Sequence, residues 1–360
     1  MKFVTITLLL ICLATGAICQ KINSDAITAF WHLVDRLEQD KPLTDTAWSA
    51  YYDLFGNRNY MVNNRSMEDV NQHRRYLEIV FRPSFSDSLR AMAGIKNKDK
   101  AEGMFQNLWF IKQNEARLRK YSQEIASPAY LLSSIALAKS FLPKDKYNSI
   151  PGNLKIYIMA MAADAAVQDS SMYFGLSVIF SYDQFRKGAI AAHELHHVLR
   201  KEKVLAGTLS SRDSASFYVV DDINNEGCAD LIDKVLLIDH GSHIIRGDLL
   251  REKLLSTAGR TIQVIDSCLL VNAGSQTSFT STRAFNRITN YSSGHIPGFY
   301  MMLVIKRNGY LSEMIDHCDD PFSFFDLYNK AAKKDKESPP CFSDATMAYL
   351  KELERRSFQP

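Results

Sequence analysis

The stretch from Ala189 to Lys203 contains neither proline nor glycine and reads as one helix with an unusual polar face. Its centre is Ala191-Ala192-His193-Glu194-Leu195-His196-His197-Val198-Leu199. Apolar residues on both sides of the polar ones require this helix to be packed inside the protein. His193 and His197 are four apart and therefore lie on one face, one turn from each other. Two imidazoles placed that way can hold one metal ion, and Glu194, about 100° round the helix, can reach water beside it. With 9 histidines in 360 residues, a chance H-E-x-x-H anywhere in the chain has odds on the order of one in a hundred. The motif is therefore read as a metal site rather than as an accident. His196 points about 100° away from His197 and is read as a packing residue.

Two histidines leave a metal underfilled, because catalytic zinc commonly has three protein ligands and an open position. The segment Asp222-Ile223-Asn224-Asn225-Glu226-Gly227-Cys228-Ala229-Asp230 supplies a third in Glu226. A helix from about Asp222 to His240, N-capped by Asp221 or Asp222 and closed by Gly241, is expected to carry it in its first turns. Asp230, at i+4 from Glu226, is expected to accept the second ring N–H of a zinc histidine. Gly227 and Ala229 suit close helix approach. Cys228 is about 200° round from Glu226 and is read as a buried thiol.

The rest of the chain frames these two segments. From about Ser24 to Phe141 the apolar spacing is helical, with helices expected over Asp25–Leu37, from Thr44 or Asp45 to a Gly56 cap, over Met67–Phe81, over 101–120 and over 128–141. Two strands are expected at Leu154–Ala162 and Phe174–Tyr182. The fold class is therefore α+β, mostly helical. The chain divides into a signal segment at 1–19, a helical region at 20–150 and a catalytic region at 151–360, the last two possibly continuous.

Composition narrows the function classes. The net charge of +3 gives no sign of the basic face that a nucleic-acid binder usually shows. Lys2 followed by the apolar run Phe3–Ala14 and the small residues Gly16 and Ala17 reads as a cleaved secretory signal, with cleavage after Cys19. That implies export to the periplasm or the medium. A lipid anchor on Cys19 is disfavoured by Ile18, and no later segment reaches the ~20 apolar residues of a spanning helix. Outside the signal, Cys228, Cys268, Cys318 and Cys341 allow three disulfide pairings or none.

The sequence His193-Glu194-x-x-His197 followed by Asn225-Glu226-x-x-x-Asp230 resembles the gluzincin metallopeptidases, the thermolysin-like class with a His2Glu zinc site. The whole layout is similar to a bacterial family of exported zinc-dependent peptidases. The resemblance implies a zincin-like catalytic domain, one zinc ion per chain on His193, His197 and Glu226, Glu194 as general base, and a peptide or protein substrate. It also implies that the strand before the motif helix lines the substrate cleft. An oxyanion donor is sought in Tyr291-Ser-Ser-Gly294-His295-Ile-Pro297-Gly298, with His295 first and Tyr291 second. Two rival readings stand beside the peptidase. One is a zinc-dependent amidase or other hydrolase; the other is an exported, non-catalytic binding protein.

Overall fold

A computed structural model describes residues 22–94, 100–144, 146–168, 170–274 and 279–358. The expected signal segment lies outside the described residues. The chain is mostly helical, with one four-stranded mixed sheet.

Eight helices come first: α1 (Asp25–Glu38), α2 (Asp45–Tyr52), α3 (Phe55–Asn64), α4 (Met67–Phe81), α5 (Ser86–Ala93), α6 (Lys100–Gln113), α7 (Glu115–Ile125) and α8 (Pro128–Lys139). Their starts follow local chemistry. Thr44 caps α2, Ser66 and Asp69 form a capping box on α4, and Ser127 caps α8 ahead of Pro128. Two expectations fail here. Gly56 does not close α2 but sits inside α3, packed against the Tyr157 ring. The single helix expected over 101–120 is two, α6 and α7, broken at Asn114.

The sheet has the order β1-β2-β4-β3, from β1 (Ile22–Asn23), β2 (Lys155–Met159), β3 (Ala165–Gln168) and β4 (Ser171–Gly175). β1 and β4 run parallel to β2, with Ile22 opposite Ile156 and Tyr157 opposite Tyr173. β3 is antiparallel to β4 and forms the edge. β4 is wholly buried, as a central strand covered on both faces must be. The strand expected at Phe174–Tyr182 is a correction. Strand ends at Gly175, and α9 (Leu176–Asp183) follows at once. An unbroken apolar run carries no periodicity with which to tell a buried helix from a buried strand.

The motif helix α10 (Ala189–Leu199) starts at Gly188 in the left-handed region and buries Ala189 to Leu195 completely. It packs chiefly on α8, and α11 (Ser211–Asp230) crosses it. The remaining helices are α12 (Leu236–His240), α13 (Gly247–Leu255), α14 (Ala258–Ala273), α15 (Thr282–Ile288), α16 (His295–Arg307), α17 (Leu311–Asp316), α18 (Pro321–Ala332) and α19 (Asp344–Phe358). The helix expected over 222–240 is also corrected. It begins eleven residues earlier, at Ser211, capped by the Ser210 side chain, and ends at Asp230. A turn over 231–235 then leads into α12, and Gly241 is right-handed rather than a left-handed cap. Glu226 thus stands near the C-terminal end of α11, not in its first turns.

Cys228, Cys268, Cys318 and Cys341 are all free thiols, the first three buried.

Candidate metal centre

Three helices bring the site together. α10 offers His193, Glu194 and His197, α11 offers Glu226 and Asp230, and α16 begins with His295. The crossing of α11 and α16 is unusually close because two glycines meet there. A Cβ on Gly227 would lie 2.8 Å from the Gly298 carbonyl oxygen, and one on Gly298 would lie 2.8 Å from the Gly227 nitrogen. The close approach expected of Gly227 is therefore made to α16 rather than to the motif helix. Gly294, at φ +80°, turns the chain into α16 so that the first helical residue, His295, faces α11.

The inner geometry is a triangle of three acceptor atoms. His193 Nε2 and His197 Nε2 are 3.1 Å apart. Glu226 Oε2 lies 3.5 Å from the first and 3.4 Å from the second. That oxygen is buried and accepts no hydrogen bond from any described residue.

The outer partners set which nitrogen of each imidazole faces the gap bare when the ring is neutral, as a metal ligand must be. His193 Nδ1 is 2.9 Å from Asp233 Oδ1, and His197 Nδ1 is 3.1 Å from Asn225 Oδ1. Both are acceptors, so each neutral ring carries its proton on Nδ1 and turns a bare Nε2 lone pair inward. Three lone-pair atoms then converge on one point, a costly arrangement unless a cation joins them. A tetrahedral ion with bonds of about 2.05 Å has ligand–ligand edges of about 3.3 Å, and the three measured edges bracket that length. The residues present therefore fit zinc.

Around this triangle the buried charges are dense. Asp230 and Asp233 are fully buried. Burial opposes the charge on His193, but the Asp233 carboxylate overrides it and raises the imidazole well above its ordinary value. Burial also pushes Glu226 up, yet His295 and His197 outweigh it and hold the carboxylate well below the usual range. Glu194 is pushed up by burial against the pull of His193 and His197, and it accepts no hydrogen bond from another described residue.

The positions expected of the other residues differ in part. Asp230 does not carry the zinc-ligand role partner expected of it at short range, since its oxygen is 3.8 Å from His193 Nδ1. It instead accepts from His295 Nδ1 at 3.0 Å, and Asp233 takes the contact with His193. His295 comes within 3.3 Å of Glu226 and is partly exposed. Tyr291 is 66% exposed. No hydrogen bond ties it to the cluster, so the structure leaves it on the surface. His196 is buried and hydrogen-bonds the Phe141 carbonyl after α8.

Sequence reasoning missed Asn225, Asp233, Lys234 and Asp222. A signal for two of them existed: residues 222, 226, 230 and 233 form an i, i+4, i+8, i+11 stripe. Asp222, one turn before Glu226, is pushed up to about 7 by burial and by Glu226.

Beside His197 a cleft of 710 Å3 opens, walled by Val198, Phe217, Pro321 and Phe358 and rimmed by Lys201 and Glu202. The edge strand β3 packs on α10 from another side.

Residues 47–337 match the model of a family described as "Putative zinc dependent peptidase". No curated protein and no solved structure matches the chain.

Proposed function

The chain belongs to that family of zinc-dependent peptidases, and from this premise we propose that it is an exported hydrolase of peptide bonds with one zinc ion on His193, His197 and Glu226. The observation that carries the reading is the convergence of His193 Nε2, His197 Nε2 and Glu226 Oε2 within 3.1–3.5 Å of one another. The His2Glu set is that of the gluzincins, and a zincin-like arrangement of sheet edge, motif helix and glutamate helix accords with it.

Zinc held there supplies a Lewis acid, lowering the pKa of water to roughly 7 and polarising a carbonyl. The rest is work for the chain's own side chains. Glu194 is buried beside the histidines and raised in pKa, which suits a base that takes a proton from the attacking water and delivers it to the leaving amine. His295 is fixed through Nδ1 by Asp230. Burial opposes its charge, but Asp230 and Glu226 outweigh burial and raise the imidazole, and in that imidazolium form its Nε2 can donate to the developing oxyanion. Tyr291 is not needed for that role.

A peptide substrate accords with the free edge of β3. An extended segment adding there would hydrogen-bond the backbone of Ala165–Gln168. The segment at 1–19 would direct export, to the periplasm or the medium.

The test is zinc content per purified chain by plasma mass spectrometry, beside His197→Ala. Near one zinc in the parent and near none in the variant is expected. No metal in the parent even after zinc is supplied would overturn the reading. A screen of peptides against simple amides then separates a peptidase from an amidase built on the same site.

A further inference from the structure

Lys234 is largely enclosed, with 14% of its side chain exposed, on the turn between α11 and α12. A buried ammonium is retained only where carboxylates compensate it. Here it stands 2.5 Å from Asp233 Oδ2 and 3.9 Å from Asp230 Oδ1. The other oxygen of Asp233 receives His193 Nδ1, and Asp230 receives His295 Nδ1. One ammonium thus stands beside both carboxylates that orient the two histidines.

We infer that Lys234 is a positioning residue that fixes the Asp233 and Asp230 carboxylates and, through them, holds His193 in metal-binding orientation and His295 in place beside Glu226. The inference rests on the zinc reading above. Three observations support it. Asp233 uses separate oxygens for Lys234 and His193, so the ammonium locks the carboxylate plane that the imidazole follows. Both carboxylates are fully buried, so no water can replace the ammonium without rearrangement. With His193 and His197 neutral, as metal ligation requires, Lys234 offsets only part of the negative charge of Glu194, Glu226, Asp230 and Asp233, which favours capture of a cation.

The opposing possibility is an ion pair that only holds the fold. The two separate in zinc affinity measured by chelator competition well below the melting temperature. Lys234→Met is expected to weaken zinc binding about 10–100-fold. Lys234→Arg is expected to recover most of that loss, because a guanidinium can still bridge both carboxylates. Zinc affinity unchanged in folded Lys234→Met would overturn the inference while leaving the zinc site intact. A parent that binds no zinc would instead overturn the reading beneath it.

If Lys234→Met does not fold, Asp233→Asn/Lys234→Met, which removes both charges, is compared with Asp233→Asn. Equal zinc affinity in the two is expected, since Lys234 acts on His193 through Asp233. A further tenfold loss in the double variant would overturn that route.

Discussion

His193 Nε2 and His197 Nε2 face each other at 3.1 Å while their Nδ1 atoms point away to Asp233 and Asn225. With both rings neutral, two inward lone pairs at that distance repel, and Glu226 Oε2 adds a third acceptor. Removing the carboxylate should therefore damage metal binding far more than folding. Glu226→Ala is expected to lower zinc affinity by more than about 100-fold, given that outer partners alone are worth 10–100-fold. Circular dichroism should show unchanged helix content. Unaltered affinity would place the third ligand elsewhere.

Glu194 lies next to the ligands without belonging to the triangle. Glu194→Gln keeps shape and volume but cannot take a proton. Zinc content should stay at the parent level while turnover falls by about 10²–10⁴. Equal turnover in variant and parent would remove Glu194 from the reaction.

His295 is held by Asp230 but is not needed to complete the triangle. His295→Ala is expected to retain zinc and lose about 10²–10³ in kcat, with KM nearly unchanged. Asp230→Asn should lose less in the same direction, since the ring stays present but less firmly oriented. A kcat at parent level in His295→Ala would end its assignment as oxyanion donor.

Asp183 links the site to stability. Its Oδ1 accepts the Gly188 N–H at the turn into the motif helix, and Tyr121 donates to Oδ2. Burial still dominates and pushes the carboxyl up from 3.8 to about 6. The folded state therefore binds more protons than the unfolded state between those values, so this group's contribution falls as pH rises from 3.8 through 6. Asp183→Asn removes that slope and keeps the acceptor for Gly188. Its stability relative to the parent should rise across that window by about 3 kcal/mol at pH 8, from 1.36 kcal/mol per unit. Urea titrations at pH 4 and pH 8 measure the difference, and an equal gap at both would refute it.

His73 has the opposite sign. It is buried against Trp48, and neither ring nitrogen has a hydrogen-bond partner among the described residues. Burial lowers its pKa from 6.5 to about 4. Its neutral form therefore supports the fold fully above 6.5, and that support is lost as pH falls through 4. His73→Leu should raise stability at pH 7 by about 1–3 kcal/mol, because two orphaned polar atoms are removed. It should also flatten the acid limb of a thermal-melt series. A variant that melts lower than the parent at every pH would show that the imidazole fills space a leucine cannot.

The sequence by itself determined what local rules govern. The spacing of His193 and His197 put both on one helical face whatever surrounds them, and Thr44 marked the start of its helix. The sequence offered Glu226 as a candidate ligand but did not separate it from Asp221, Asp222, Asp230 and Asp233 around it. Tertiary structure decided what depends on long-range contact. The run Leu176–Tyr182 folds as helix because enclosure on all sides removes the amphipathic signal that separates helix from strand. The helix bearing Glu226 starts at Ser210 because serine caps there, a choice no apolar period reveals. The exchange between Asp230 and Asp233 was likewise beyond sequence. Both lie on one stripe, and only the close Gly227–Gly298 crossing brings His295 up to claim Asp230. That leaves Asp233, on the turn beyond α11, to orient His193.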